Sequence, residues 1–153
     1  MEYGYAVGSY EQPILRSTPS GTVTNEVKYH GPFSSGPFNA FRLEFDLESE
    51  NGTHTLDEEL EYYSQANGDW TAWLDGAGTQ IKINNYADGE TGRRYILVGP
   101  GVAPGADADG VLIVNTVNTH YDQLIMPVWR IKQTIGGTAV DNVLSCSIYW
   151  LMR

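Results

Sequence analysis

Eight carboxylates, Glu44, Asp46, Glu48, Glu50, Asp57, Glu58, Glu59 and Glu61, fall in a stretch with no Lys or Arg between Arg42 and Lys82. Such a density suits three chemistries. A pair held ~5–10 Å apart across a sugar cleft cleaves glycosidic bonds. A convergent group binds a divalent cation. A row along one strand face stays in water and discourages edge pairing. The spacing favours the third, because Glu44, Asp46 and Glu48 alternate with apolar residues and Asp57 to Glu61 crowd one short segment. "DADG" at 107–110 starts like a calcium loop, but the following "VLIVNT" lacks the spaced oxygen ligands and closing Glu. It reads as a Gly-Asp turn, with adventitious cation binding by Asp107 and Asp109 as the alternative. His120 and Asp122 in "HYD" share one side of an extended segment, a pairing that can orient an imidazole, but zinc needs two further ligands. Cys146, the single cysteine, sits in "VLSCSIYWLM" and reads as a small buried residue. There is no Gly-x-Ser-x-Gly, and "VGPGVAPGADADG" lacks the Lys-Ser/Thr of a phosphate loop. The expectation is a chain with no catalytic residue, no cofactor and no metal site, and not an enzyme.

The aromatic residues point elsewhere. The chain has four Trp and ten Tyr. Trp129 and Trp150 lie in apolar runs and are expected in the core. Trp70 and Trp73 are an odd distance apart, so on one strand they face opposite ways. An exposed aromatic on a β scaffold either stacks on a sugar, with Trp70, Trp73 and Tyr86 as the platforms, or anchors a protein interface. "MEYGYAVGSYEQP" favours the interface: Tyr3 and Tyr5 have the spacing at which an extended arm adds to a neighbour's sheet and lodges alternate side chains in pockets. The expected interface residues are Tyr3, Tyr5, Tyr10, Phe33, Phe38, Trp70 and Trp73.

These residues need a scaffold. A chain of 153 residues suits one domain. Nine Lys and Arg against nineteen Asp and Glu give a formal charge of −10, which repels nucleic acid and anionic membrane. No basic region followed by an apolar core marks a secretory signal, and no apolar run reaches the ~18 residues of a membrane span. Residues 1–40 hold four of the seven prolines and read as an extended, turn-rich arm with a short strand at 22–29. Residues 41–153 read as a β-sandwich domain. "FRLEFDLES" alternates strictly, as a half-buried strand does. Later apolar runs are bounded by Gly, Asn and Asp, with no crossover helices between them. Together they predict an all-β antiparallel sandwich, jelly-roll-like, of about seven or eight strands. One short helix is expected near 56–66, where Thr55 and Glu58 form a capping box and Leu56, Leu60 and Tyr63 share a face. The last strand is expected inside a sheet.

The aromatic arm, the sandwich-like strands from "FRLEFDLES" to "SCSIYWLMR" and the single cysteine resemble the small all-β decoration, or cement, proteins on the heads of tailed bacteriophages. That resemblance implies a non-enzymatic virion-surface protein, assembled in a host cytoplasm. It would bind the major capsid protein or a similar scaffold, and neighbouring copies of itself as a homo-oligomer, often a trimer, without nucleic acid or membrane as partner. A carbohydrate-binding sandwich module, or a tail or fibre adhesin component, is the alternative.

Overall fold

The protein is described here by a computed structural model covering residues 2–7, 15–16, 22–49, 51–100, 119–140 and 142–152, with side chains over most of the stretch from 22 to 150. The described residues form eleven strands and no helix: β1 (Glu2–Val7), β2 (Leu15–Arg16), β3 (Thr22–Ser34), β4 (Ala40–Ser49), β5 (Gly52–Ser64), β6 (Asp69–Ala72), β7 (Lys82–Tyr86), β8 (Gly92–Val98), β9 (Thr119–Tyr121), β10 (Val128–Val140) and β11 (Val143–Met152). One sheet runs β1-β11-β4-β8-β9, with β2 also on β11. The other runs β3-β10-β5-β6, with β7 also on β5. All pairings are antiparallel except β8 with β9.

Alternation builds the sandwich. On β4, Phe41, Leu43, Phe45 and Leu47 are buried while Arg42, Glu44 and Asp46 face outward. On β10, Trp129, Ile131 and Ile135 point in and Arg130, Lys132 and Thr134 point out. On β11, Leu144, Cys146, Ile148 and Trp150 are buried. Facing side chains from the two sheets fill a single core. Each fully buried large apolar side chain contributes roughly 1.5–3 kcal/mol relative to exposure. As expected, the last strand is interior: β11 has β4 on one side and β1 and β2 on the other.

Residues 56–66 do not form a helix. They belong largely to β5, where His54, Leu56, Glu58 and Leu60 are buried and Asp57, Glu59 and Glu61 face out. Leu56 and Leu60 satisfy a helical and a strand period equally, so pairing decides. β10 pairs with β5 from Gly52 to Tyr62, and β6 and β7 take its other side. A helix here would leave the sheet without its middle, and tertiary context overrides a local capping signal.

The amino-terminal segment also differs from the expected free arm. β1 pairs with β11 of its own chain, Tyr3 opposite Leu151 and Tyr5 opposite Trp150. The strand expected at 22–29 forms and runs on to Ser34: Thr22–Ser34 is the edge strand of the second sheet. Tyr10, Asp107 and Asp109 lie outside the described residues.

Two glycines fix the far end of β5 and β10. Gly137 (φ +78°) and Gly52 (φ +97°) adopt left-handed backbone, and a Cβ at either would run into a carbonyl oxygen, that of Thr53 or Thr138 respectively. Gly137 N–H donates to the Asn25 side-chain oxygen at 2.8 Å, where β3 and β10 shift register. Gly137→Ala is expected to cost about 1–3 kcal/mol, read as a lower urea midpoint with an unchanged slope.

Candidate functional site

Glu50 lies outside the described residues, and the described carboxylates disperse over three environments. Glu44 and Asp46 lie on the outer face of the first sheet, where Arg42 sits 2.7 Å from Glu44 and Arg93 3.4 Å from Asp46. Asp57, Glu59 and Glu61 lie on the outer face of the second sheet, with Glu59 paired to Lys132 at 3.7 Å and Glu61 to Arg130 at 2.6 Å. These two faces look away from each other across the sandwich, so the carboxylates cannot converge on one substrate. Glu58 is the exception to solvation: it points into the core, 1% exposed. Gln133 Nε2 donates to its Oε1 at 2.7 Å, and its Oε2 has no hydrogen-bond partner. Burial holds this carboxyl well above the usual range, outweighing the Gln133 hydrogen bond. Cys146 is buried as expected, and burial, then the nearby Glu58 and Glu44, push its thiol up, away from reactive thiolate.

Near β9, Asp75, His120, Tyr121 and Asp122 line a shallow cleft. The Asp75 carboxylate accepts the N–H groups of Ala77 and Thr79, each at 2.9 Å, so it holds its own turn. Among the described residues no group of three or more His, Cys, Asp or Glu is placed to hold a metal.

One surface gathers aromatics. On the outer face of the β3-β10-β5-β6 sheet, the Arg130 guanidinium lies between two rings, 3.9 Å from the centroid of Tyr29 and 4.4 Å from that of Trp70. Its Nε–H donates to Glu61 at 2.7 Å. Tyr63 meets Trp70 edge-on at 5.6 Å. Tyr29, Val27, Tyr63 and Val128 are 52, 47, 42 and 36% exposed. Strand register explains the assembly, since Glu61 pairs with Arg130 and Tyr63 with Trp70. Two ring contacts and an ion pair fix the arginine in one rotamer before any partner arrives, which lowers the ordering cost of binding.

Of the expected interface residues, Trp70 belongs to this surface. Trp73, as its odd spacing from Trp70 requires, faces the other way: it is 1% exposed and packs on Phe41 and Trp129, so it is a core residue and not an anchor. Tyr86, the third sugar platform, is also buried, with its hydroxyl donating to the Gly92 carbonyl at 2.8 Å. Phe33 and Phe38 are half-buried; Phe33 packs at a tilt on Trp129 and Phe38 stacks on Trp150. Tyr29, Tyr63 and Arg130 were missed. Their signal lay in "VWRIK", where an inward Trp129 turns Arg130 outward opposite "EELEYY". No family model, curated protein or solved structure matches the chain.

Proposed function

We propose that this chain is a non-enzymatic structural protein of a virion, a capsid decoration or cement protein that binds the capsid surface and neighbouring copies. The observation that carries this reading is the preorganised Tyr29–Arg130–Trp70–Tyr63 surface. Tyr, Trp and Arg are the side chains that supply most binding energy at protein interfaces. The fold supports it by analogy. The antiparallel pairs β1 with β11, β3 with β10, β4 with β8, and β5 with β6 and β7 are nested in sequence. That nesting supports reading the sandwich as jelly-roll-like, an architecture found in viral capsid and lectin domains. Because β1 pairs with β11 of its own chain, this reading assigns the scaffold contact to the aromatic face.

The test is co-sedimentation with undecorated heads of the phage that carries the coding sequence. The wild-type chain is expected to bind at fixed stoichiometry, and Trp70→Ala combined with Arg130→Ala to weaken binding roughly 100-fold or more. Undiminished binding by the double variant would remove this face from the contact. Absent head binding, together with glycan-array binding that depends on Trp70, would replace the proposal with a sugar-binding module.

A further inference from the structure

We infer that the free edge of β3 joins two copies of this chain, strand to antiparallel strand, about a two-fold axis at Val27. The inference stands independently of the capsid reading. β3 has thirteen residues and ends its sheet; among the described residues no strand covers its outer edge. Long uncovered edges are templates for strand addition. Irregularities bound the usable part: β3 shifts register against β10 between Thr24 and Glu26 and again between His30 and Phe33, leaving Glu26–His30 regular.

Symmetry then limits the register. A two-fold axis normal to the sheet maps each face onto itself, and residues directly opposite across antiparallel strands share a face. The axis must therefore pass through a residue and not between two. An axis at Glu26 sets Glu26 against its own copy, and one at Lys28 does the same for lysine; like charges directly opposite are destabilising. An axis at Tyr29 sets Lys28 against His30, and one at His30 sets Tyr29 against Gly31. An axis at Val27 sets Glu26 against Lys28 of the second copy twice over, with the half-exposed Val27 side chains meeting at the centre.

The charges are available for this. Lys28 and Glu26 are 3.6 Å apart within one chain, and their side chains are 40 and 43% exposed. Two chains of formal charge −10 repel each other except where the meeting surface carries its own counter-charges. This edge carries equal numbers of both.

The test is sedimentation equilibrium of the purified chain up to ~1 mM, with folding of each variant checked by circular dichroism. The wild type is expected to dimerise. Glu26→Lys alone and Lys28→Glu alone each create two like-charge oppositions and should weaken the dimer by roughly tenfold or more. An equimolar mixture of the two single variants should associate about as well as wild type, because every opposition in the mixed dimer is then between unlike charges. A monomeric wild type overturns the proposal. So do a dimer indifferent to the single substitutions and a mixture that fails to recover.

Discussion

Trp129→Ala should lower stability by about 3–5 kcal/mol, the range for removing a large aromatic from a packed core. For a chain of this size that corresponds to a fall in Tm of roughly 10–15 °C. The reason is position. Trp129 is fully buried on β10 and its ring lies 4.5 Å from Phe41, 5.9 Å from Trp150, 6.3 Å from Trp73 and 5.0 Å from Phe33. Phe41 and Trp150 belong to the opposite sheet, so this one side chain ties the two layers together. Its indole N–H also donates to Ser35 Oγ at 3.2 Å, and that hydroxyl donates to the Met126 carbonyl at 2.7 Å. Alanine would leave a cavity and remove the indole donor to Ser35 Oγ, whose own bond to Met126 remains. Trp129→Phe should cost less, since it keeps the stacking on Phe41. Equal losses for the two variants would mean that the hydrogen bond, not the ring packing, dominates.

Glu58 should give the protein a pH dependence of unusual sign for a carboxylate. Its folded value is held above 4.5 by burial, so as pH rises past 4.5 the unfolded chain gives up its proton while the folded chain keeps it. The unfolded state then binds fewer protons, and this site's contribution to stability falls by about 1.4 kcal/mol per pH unit until the folded carboxyl itself ionises. The groups facing it are the amide of Gln133, the neighbouring Asp57, and, across the core, Tyr86 and Cys146. His30, which also bonds Gln133, is held below its ordinary 6.5 by burial and works in the opposite sense, costing stability as pH falls through that range. Glu58→Gln removes only the carboxyl titration. It should match wild type below pH 4.5 and become progressively more stable than wild type as pH rises above it, because the folded wild-type carboxyl is held protonated while the unfolded one ionises. Parallel stability curves for the two proteins would show that Glu58 is hydrated in solution.

What was legible in the sequence divides along one physical line. Strands with a strict two-residue period, such as Phe41 to Leu47, declare their faces because a slip by one residue would bury Arg42 and Glu44. The sandwich, the core positions of Trp129 and Trp150, and the opposite faces of Trp70 and Trp73 all follow from that period. Segment 56–66 was ambiguous because Leu56 and Leu60 are four apart, which both periods allow. The deciding residue, Glu58, is a carboxylate in a core position, and composition argues against placing it there. Which of Trp70 and Trp73 faces outward was equally closed to sequence, since it depends on how β6 meets β5. The cluster at Arg130 depends on register across four strands, information that lies in pairings between residues far apart in the chain.

The nested pairing also constrains how the chain reaches this state. β10 separates β3 from β5, and β11 separates β1 from β4, so each sheet has an interior strand that follows in sequence every strand it joins. During synthesis the earlier strands would wait with apolar faces uncovered until β10 and β11 emerge. Topologies dominated by such distant contacts close slowly and expose aggregation-prone intermediates on the way. A ribosome-stalled chain ending before Val128 should therefore be protease-sensitive throughout, with protection arriving in one step once β11 has cleared the exit tunnel.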